Sequence, residues 1–209
     1  MLLCNHTQKS VPYSITSGFD LNLTQQMNSE WSGYKGIIAQ EILTNFPTFN
    51  QDPTIRNQVV SDYNIGDFGW DWNRKIFFCN TIDYLWFYLI ADNKVQSACI
   101  IYHPKQSHFD NKPIFYIDYI ASANWNRSRP GYSAQFKRTG TLLIEHAIKY
   151  ANKNWGYRPG FCLHSLPDAE GFYSHLGMQD FGIDPSKENL RIFEAPEVIA
   201  CKLGGIAHA

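Results

Sequence analysis

The sequence lacks an excess of charge of either sign. Its 209 residues include 18 lysines and arginines against 19 aspartates and glutamates, which gives a net charge of −1. Proteins that bind nucleic acid through its phosphates need a broad basic surface. The near balance therefore disfavours nucleic acid as a partner, and we expect none.

Paired cysteines and long apolar runs are also missing. The 5 cysteines are widely spaced, odd in number and without a C-x-x-C pair, so neither a disulfide framework nor a zinc knuckle is predicted. No stretch approaches the ~20 apolar residues of a membrane span. The apolar run at the N-terminus is too short for a signal peptide. We therefore expect a cytoplasmic protein with no membrane partner.

No metal site is predicted either. His103, His108 and Asp110 are candidate ligands, but they fall in a connector rich in proline, lysine and asparagine. A solvated loop is favoured over a metal centre for such a segment.

What the sequence does contain is the composition of one globular domain. Hydrophobic residues make up 44% and charged residues 18%, and the length fits a single domain over residues 1–209. Residues 1–65 are the least readable part. Within them, apolar steps of three and four residues predict a helix over Ser29–Phe46, capped by Ser29 and stopped by Pro47 and Pro53.

From residue 84 onward strands and helices alternate. The predicted strands are Tyr84–Ala91, Val95–Tyr102, Ile114–Ala123, Phe161–Ser165, Met178–Gly182 and Leu190–Ala195. The predicted helices are residues 140–155 and Asp168–Leu176, the second capped by Asp168. This order favours an α/β (α+β) fold, with a mixed central sheet of about six to seven strands flanked by helices.

One strand-to-helix turn has the character of an anion site. It comprises Gln135, Phe136, Lys137, Arg138, Thr139, Gly140 and Thr141. Free backbone N–H groups and the positive end of the helix dipole attract phosphate at such a turn, and a glycine allows close approach. A solvated helix cap without a ligand is an equally open interpretation.

The segment QFKRTGTLLIEHAI resembles the acetyl-CoA motif of the GNAT acyltransferases, with Gln135 at its first position and Gly140 at its last. Downstream, residues 160–178 resemble the next strand and helix of that family, which end in Phe-Tyr-x-x-Leu-Gly-Met. The resemblance covers about residues 84–195 and identifies no subgroup. It implies the GNAT fold, splayed at the acyl-CoA site.

The resemblance also implies a function. Acetyl-CoA, or another acyl-CoA, would be the co-substrate without a metal, and the acyl group would pass directly to an amine in a ternary complex. The acceptor would be a small-molecule or peptide amine, and a homodimer is one possible assembly. Because the motif's middle glycine is Arg138 here, a non-catalytic acyl-CoA-binding sensor or regulatory module stays open as the alternative. An acyltransferase toxin acting on charged tRNA is disfavoured by the near-neutral charge.

The same resemblance suggests site residues. Pantetheine would pair with the strand edge at 119–122, with Ile120 and Ser122 as contacts. Asp118 is the candidate general base, although strand alternation could also turn it to solvent. Tyr173 matches the family's general-acid tyrosine; the alternative is a core aromatic with a wet hydroxyl.

Three further expectations concern the surroundings of the site. Ser165 lies beside the place where many relatives have an asparagine, and it is a candidate contact. Arg138 would be strained if its position requires a positive φ, or its guanidinium would itself contact phosphate. By fold analogy the acceptor pocket would come from residues 30–75 and the long loop 124–134, walled by Trp31, Trp70, Trp72 and Trp125.

Overall fold

The computed structural model describes residues 1–207, and its centre is a seven-stranded mixed sheet. Two short strands, β1 (Leu2–Leu3) and β2 (Ser10–Val11), pair with each other outside this sheet. The strands of the sheet are β3 (Tyr13–Ser17), β4 (Tyr84–Ala91), β5 (Lys94–Gln106), β6 (Pro113–Ser122), β7 (Phe161–Ser165), β8 (Gln179–Asp184) and β9 (Leu190–Glu194). The sheet order is β3-β4-β5-β6-β7-β9-β8, with β6 and β7 parallel and the other neighbours antiparallel. The predicted mixed sheet is confirmed.

Helices cover both faces of this sheet. They are α1 (Leu21–Asn45), α2 (Pro53–Tyr63), α3 (Trp72–Lys75), α4 (Thr139–Trp155), α5 (Glu170–His175) and α6 (Glu197–Gly204). Alternation along β4 sends Phe87 into the core beneath α4 and Trp86 into the core beneath α1. The central strands are therefore buried on both faces and form a rigid base for the site.

The N-terminal helix starts earlier than predicted. Its cap is Asp20, whose carboxylate accepts a hydrogen bond from the Leu23 N–H at 2.9 Å, so the assignment of Ser29 as cap is wrong. Pro53 was interpreted as a helix stop, but it lies in the first turn of α2, which Asp52 caps. Proline is compatible with a first turn, where its missing N–H has no partner to lose.

Asp168 does not cap a helix. Residues Pro167–Ala169 form a 3₁₀ turn before α5, and the Asp168 carboxylate accepts a hydrogen bond at 3.0 Å from the N–H of Gly66, far away in sequence. The side chain thus ties the loop after α2 to the start of α5.

The connector predicted as a solvated loop is largely structured. β5 continues to Gln106, and the His103 ring stacks on Trp155 with ring centroids 3.5 Å apart. His108 Nδ1 lies 2.8 Å from Glu194, and Arg158 pairs with Asp110 at 2.9 Å. The interpretation as a loop is therefore wrong for residues 103–106, which belong to β5, whereas residues 108–112 are an exposed loop that His108 ties to Glu194 of β9.

Two kinds of feature are absent from residues 1–207. No helix there combines the length and apolar character that a membrane crossing would need. No group of three or more histidine, cysteine, aspartate or glutamate side chains within that range could hold a metal ion.

Candidate functional site

The sheet opens between its two parallel strands. β6 and β7 pair at Phe115–Phe161, Tyr116–Cys162 and Ile117–Leu163. Beyond Ile117, β6 runs on to Ser122 without pairing with β7, which pairs with β9 on its other side. The edge of β6 therefore offers unused backbone groups to a ligand, at the segment that the family resemblance indicated.

A β-bulge lies where the strands separate. Ile117 pairs with Ile101 and Tyr119 with Ile100, so Asp118 is the extra residue on β6. A bulge re-aims the side chain it carries. Simple strand alternation does not apply there, and Asp118 faces a cavity between the strands.

This opening, which we call the sheet cavity, has a volume of about 380 Å³. Its walls come from β6, β7, the loop before α3, α5 and the segment between β8 and β9. Its principal side chains are Trp70, Lys75, Tyr116, Asp118, Tyr119, Ile120, His164, Tyr173 and Lys187. Small-molecule sites have this size and this mixture of aromatic walls with a few polar groups.

The Asp118 carboxyl group has an altered proton affinity. Burial raises its pKa, while Lys187, a hydrogen bond from Cys79 and Lys75 offset part of the effect. The Cys79 thiol lies 3.7 Å from Oδ2, and burial followed by repulsion from Asp118 raises its own pKa to about 12. Asp118 is thus a stronger proton acceptor than an aspartate in water.

A hydrogen-bonded chain leads from the sheet cavity towards the surface. The Tyr116 hydroxyl lies 2.8 Å from Nδ1 of His164, and Nε2 of His164 lies 3.0 Å from Asp184. Burial lowers the pKa of His164, although Asp184 opposes the effect, so the ring is neutral at pH 7. With Nε2–H donating to Asp184, Nδ1 accepts a hydrogen bond from Tyr116.

A second hollow, the helix cavity, lies at the start of α4. Its volume is about 240 Å³, and it is lined by Ile120–Ser122, Asn126, Arg138–Thr141, Ile144, Phe172 and Tyr173. Ile120 and Tyr173 line both cavities, so these two side chains mark the junction between them.

The turn before α4 allows a ligand to come close to the backbone N–H groups at the start of the helix. No side chain caps the helix, and the first N–H with a helical partner is that of Leu142, which donates to the Arg138 carbonyl at 2.9 Å. A Cβ on Gly140 would meet only the Ser122 hydroxyl at 3.5 Å. The Thr139 and Ser122 hydroxyls, 2.9 Å apart, join α4 to β6. This arrangement fits a diphosphate.

Arg138 has a left-handed backbone, with φ of 64° and ψ of 13°. The position that is glycine in the family motif therefore requires a positive φ here too, a conformation that L-residues adopt at a cost. The guanidinium is largely exposed and pairs with Glu145 at 2.8 Å. Arg138 is one of the residues that line the helix cavity.

Four predicted contacts lie away from the walls of the helix cavity. Gln135 lines a separate hollow near Trp125, Phe136 is buried, and Lys137 is exposed. The buried Ser165 hydroxyl donates to the carbonyl of Leu166 at 2.8 Å. Their part in binding stays a prediction.

Tyr173 is buried, with 6% of its surface exposed. Burial, with smaller effects from Cys99 and Asp168, raises the pKa of its hydroxyl far above the ordinary value. The group therefore keeps its proton across the neutral range and can donate a hydrogen bond at the junction of the two cavities.

The tryptophans divide between core and cavity. Trp70 lines the sheet cavity, whereas Trp31 and Trp72 pack edge to face in the core at 5.6 Å. Trp125 belongs to the loop 124–134, whose first turn is buried against Gln96 through hydrogen bonds of 2.8 and 2.9 Å. That turn is an anchored part of the fold.

Sequence reasoning missed Lys75, Tyr116, His164 and Lys187 as cavity residues. Tyr116 could have been found, because it lies two positions before Asp118 on a predicted strand. His164 lies on the predicted strand Phe161–Ser165. Nothing in the local pattern of Lys75 or Lys187 indicates a site, since tertiary contacts alone bring them to β6.

No protein-family model and no curated protein sequence matches this chain. Among solved structures, FeeM, an N-acyl amino acid synthase from uncultured soil microbes, is 10% identical; the match covers 93% of this chain and 95% of that one, with a TM-score of 0.54. A protein assigned to the GNAT family as an acetyltransferase, from Desulfovibrio desulfuricans, is 9% identical over 89% and 99% of the chains, with a TM-score of 0.51. The KacTA–DNA complex, 14% identical over 92% and 98%, has a TM-score of 0.49. At identities of 9% and 10%, the first two structures show a similarity of architecture alone. In architecture, the chain has the GNAT fold.

Proposed function

We propose that this protein is an acyl-CoA-dependent N-acyltransferase that transfers the acyl group, in the first instance acetyl, directly to an amine in a ternary complex. The observation that carries the proposal is the junction of the two cavities at the splayed edge of β6. The helix cavity offers free N–H groups for a diphosphate, and the sheet cavity offers a base for an amine. Ile120 and Tyr173 belong to both.

Acyl-CoA supplies an activated thioester carbonyl. An attacking amine must first lose a proton, because its ordinary pKa is near ~10. Asp118 is the proposed acceptor of that proton, and its raised pKa supports the role. Tyr173 is proposed to donate a hydrogen bond to the sulfur as it gains charge. The acyl carbon exchanges its bond to sulfur for a bond to nitrogen, and no metal is proposed.

The chain of Tyr116, His164 and Asp184 supports a path for the proton. The Tyr116 hydroxyl lines the sheet cavity together with Asp118, and Asp184 at the other end is partly exposed. We propose that this chain of three side chains returns the proton from Asp118 to solvent after each turnover. Tyr116 and His164 are neutral at rest, whereas hydrogen bonds from Ser186 and His164 lower the pKa of Asp184, so its carboxylate is ionised and can accept the proton.

Calorimetric titration with acetyl-CoA, followed by release of free thiol across a panel of amines, tests the proposal. Saturable binding and amine-dependent thiol release are expected. Binding without turnover of any amine would favour the alternative, a non-catalytic acyl-CoA sensor or regulatory module. Absence of acetyl-CoA binding would contradict both the acyltransferase proposal and the sensor alternative.

A further inference from the structure

Lys75 is a buried cation that has no polar partner among residues 1–207. It ends α3, only 8% of its surface is exposed, and it lines the sheet cavity. Its Nζ lies 3.1 Å from the ring centroid of Tyr119 and 4.5 Å from that of Trp70. Within residues 1–207 this ammonium has neither a hydrogen bond nor an ion pair, although Asp118 lines the same cavity.

Lys35 shows how the same fold treats a partly buried lysine that has polar acceptors. Its Nζ donates to the carbonyls of Phe68 at 3.0 Å and Trp70 at 3.1 Å, with a longer contact to Asp67 at 3.5 Å. These acceptors replace water around the charge. Lys75 has only aromatic faces, which compensate a charge in part.

Because its charge is buried among aromatic rings, the Lys75 ammonium would be stabilised by a bound anion. Burial lowers the pKa of Lys75 to about 8, and Cys79 and Asp118 oppose the shift only in part. An anionic ligand beside Nζ would recover much of the lost solvation energy. Because Lys75 lines the sheet cavity, such an anion would lie in the volume that Asp118 and Tyr119 also line.

The side chains that line the sheet cavity indicate which class of anion binds there. No arginine lines the sheet cavity among the described residues, so the fork of donors that suits a phosphate is missing. The cavity has two lysines, but Lys187 is exposed and only Lys75 is buried, and one buried compact ammonium suits one carboxylate. Trp70, Tyr116 and Tyr119 provide apolar faces for a hydrophobic group attached to it.

We propose that Lys75 binds the carboxylate of the acceptor, so that the acceptor is an amino acid with a hydrophobic or aromatic side chain. The inference rests on the proposed function, since it names the substrate of that same site. The amine of such a ligand would lie near Asp118 while its carboxylate contacts Nζ. The side chain would lie against the aromatic walls.

The first measurement does not depend on turnover. Binding of 3-phenylpropionate and of its neutral amide would be followed by quenching of tryptophan fluorescence, because Trp70 lies beside Lys75. The carboxylate should bind about 10-fold tighter than the amide, or more, as expected for a hydrogen bond to a buried charge. Lys75→Met, which keeps the apolar stem, should abolish the difference. Lys153→Met, at an exposed position on α4, should preserve it.

The second measurement uses turnover with L-phenylalanine and 2-phenylethylamine, which differ by the carboxylate alone. The wild type should prefer the amino acid in kcat/KM by about 10-fold or more, and Lys75→Met should lose this preference. Equal use of both acceptors by the wild type would overturn the inference and leave the acyltransferase proposal intact. Carboxylate binding without turnover of any amine would support the role of Lys75 in binding a carboxylate and contradict the acyltransferase proposal. Should Lys75→Met fail to fold, the wild-type comparison of carboxylate with amide decides alone.

Discussion

The Arg127 guanidinium donates two parallel hydrogen bonds to the carboxylate of Asp67, at 2.5 and 2.6 Å. The same guanidinium also donates to the Asn64 carbonyl at 2.8 Å and to the Ser122 carbonyl at 2.6 and 2.9 Å. One buried ion pair thus joins the end of α2 to the end of β6, where the splayed edge lies. Ser122, whose carbonyl accepts these hydrogen bonds, lines the helix cavity.

Arg127→Met should therefore destabilise the protein by about 3–5 kcal/mol, because it leaves a buried carboxylate without its partner. Urea unfolding at pH 7 measures the change. Arg191→Met is the control: its ion pairs with Asp180 and Glu170 are on the surface, and the loss should stay below about 1 kcal/mol. Similar effects for both variants would show that the pair is not structural.

The contribution of Asp67 should depend on pH in a defined direction. Burial by itself would raise the pKa of this carboxyl group, but Arg127 outweighs burial and the net pKa lies below its ordinary value. A lowered pKa stabilises the fold above the unfolded pKa of about 4, and the stabilisation is lost as pH falls through the folded value.

The stability difference between the wild type and Asp67→Asn should accordingly be constant near neutral pH and shrink below about pH 4. Urea midpoints across a pH series measure it. Asp62→Asn, at an exposed position on α2, serves as the control and should show no comparable trend. A difference that grows on acidification would contradict the assigned direction.

The central sheet was predictable because its signals are local. β4 begins and ends where a run of aromatic and aliphatic residues does, and α4 has an apolar face ended by Gly156 in the left-handed conformation. The short strand β3 was missed, since it gains its definition from pairing with β4. Capping was less predictable: Asp20, Asp52 and Asp168 all precede helical turns, yet only the first two cap a helix.

The site, too, contains residues that the sequence predicted and residues that it did not. Gly140, Asp118 and Tyr173 were predicted from motif order along the chain, and they line two adjoining cavities. The orientation of Asp118 was open, because a bulge that adds one residue to β6 leaves no mark in the sequence. Lys75 reaches the cavity only through the packing of α3 against α1, a long-range contact without a local pattern.

Gly140→Trp should abolish coenzyme A binding without unfolding the protein. A Cβ at this position meets no atom closer than 3.5 Å, so the added side chain would fill the helix cavity and leave the core intact. Calorimetric titration with acetyl-CoA and a thermal melt measure the two properties. Gly36→Trp, at an exposed position on α1 with nothing within 4 Å of a Cβ, is the matched control. Normal affinity in Gly140→Trp would place the cofactor elsewhere.

Tyr173→Phe should lower kcat by roughly 100-fold while leaving the affinity for acetyl-CoA nearly intact. The change removes one hydroxyl from the junction of the cavities, and the ring still packs against Phe193. Thiol release with the best amine of the panel measures turnover. Tyr150→Phe, on α4 and outside both cavities, should keep full activity. Unchanged turnover in Tyr173→Phe would remove its proposed role as hydrogen-bond donor.

Asp118→Asn should separate activity from stability. Turnover should fall by roughly 100-fold or more, because the amine loses its proton acceptor. Burial raises the pKa of Asp118, so the ionised carboxylate opposes folding at pH 7 and its removal should stabilise the protein there. The sign follows from linkage: the penalty is absent below the unfolded pKa of about 4 and complete above the folded value.

Urea midpoints at pH 7 and pH 3 test the stability effect, and the pH profile of wild-type kcat/KM tests the catalytic one. The gain in Asp118→Asn should disappear at pH 3, and the acidic limb of the profile should lie above the pKa of an exposed aspartate, about 4. A variant that is both inactive and less stable at pH 7 would indicate a carboxylate held by the fold for structure. A stabilised, inactive variant is expected of a carboxylate held in the cavity at the cost of stability, which is the role assigned to Asp118.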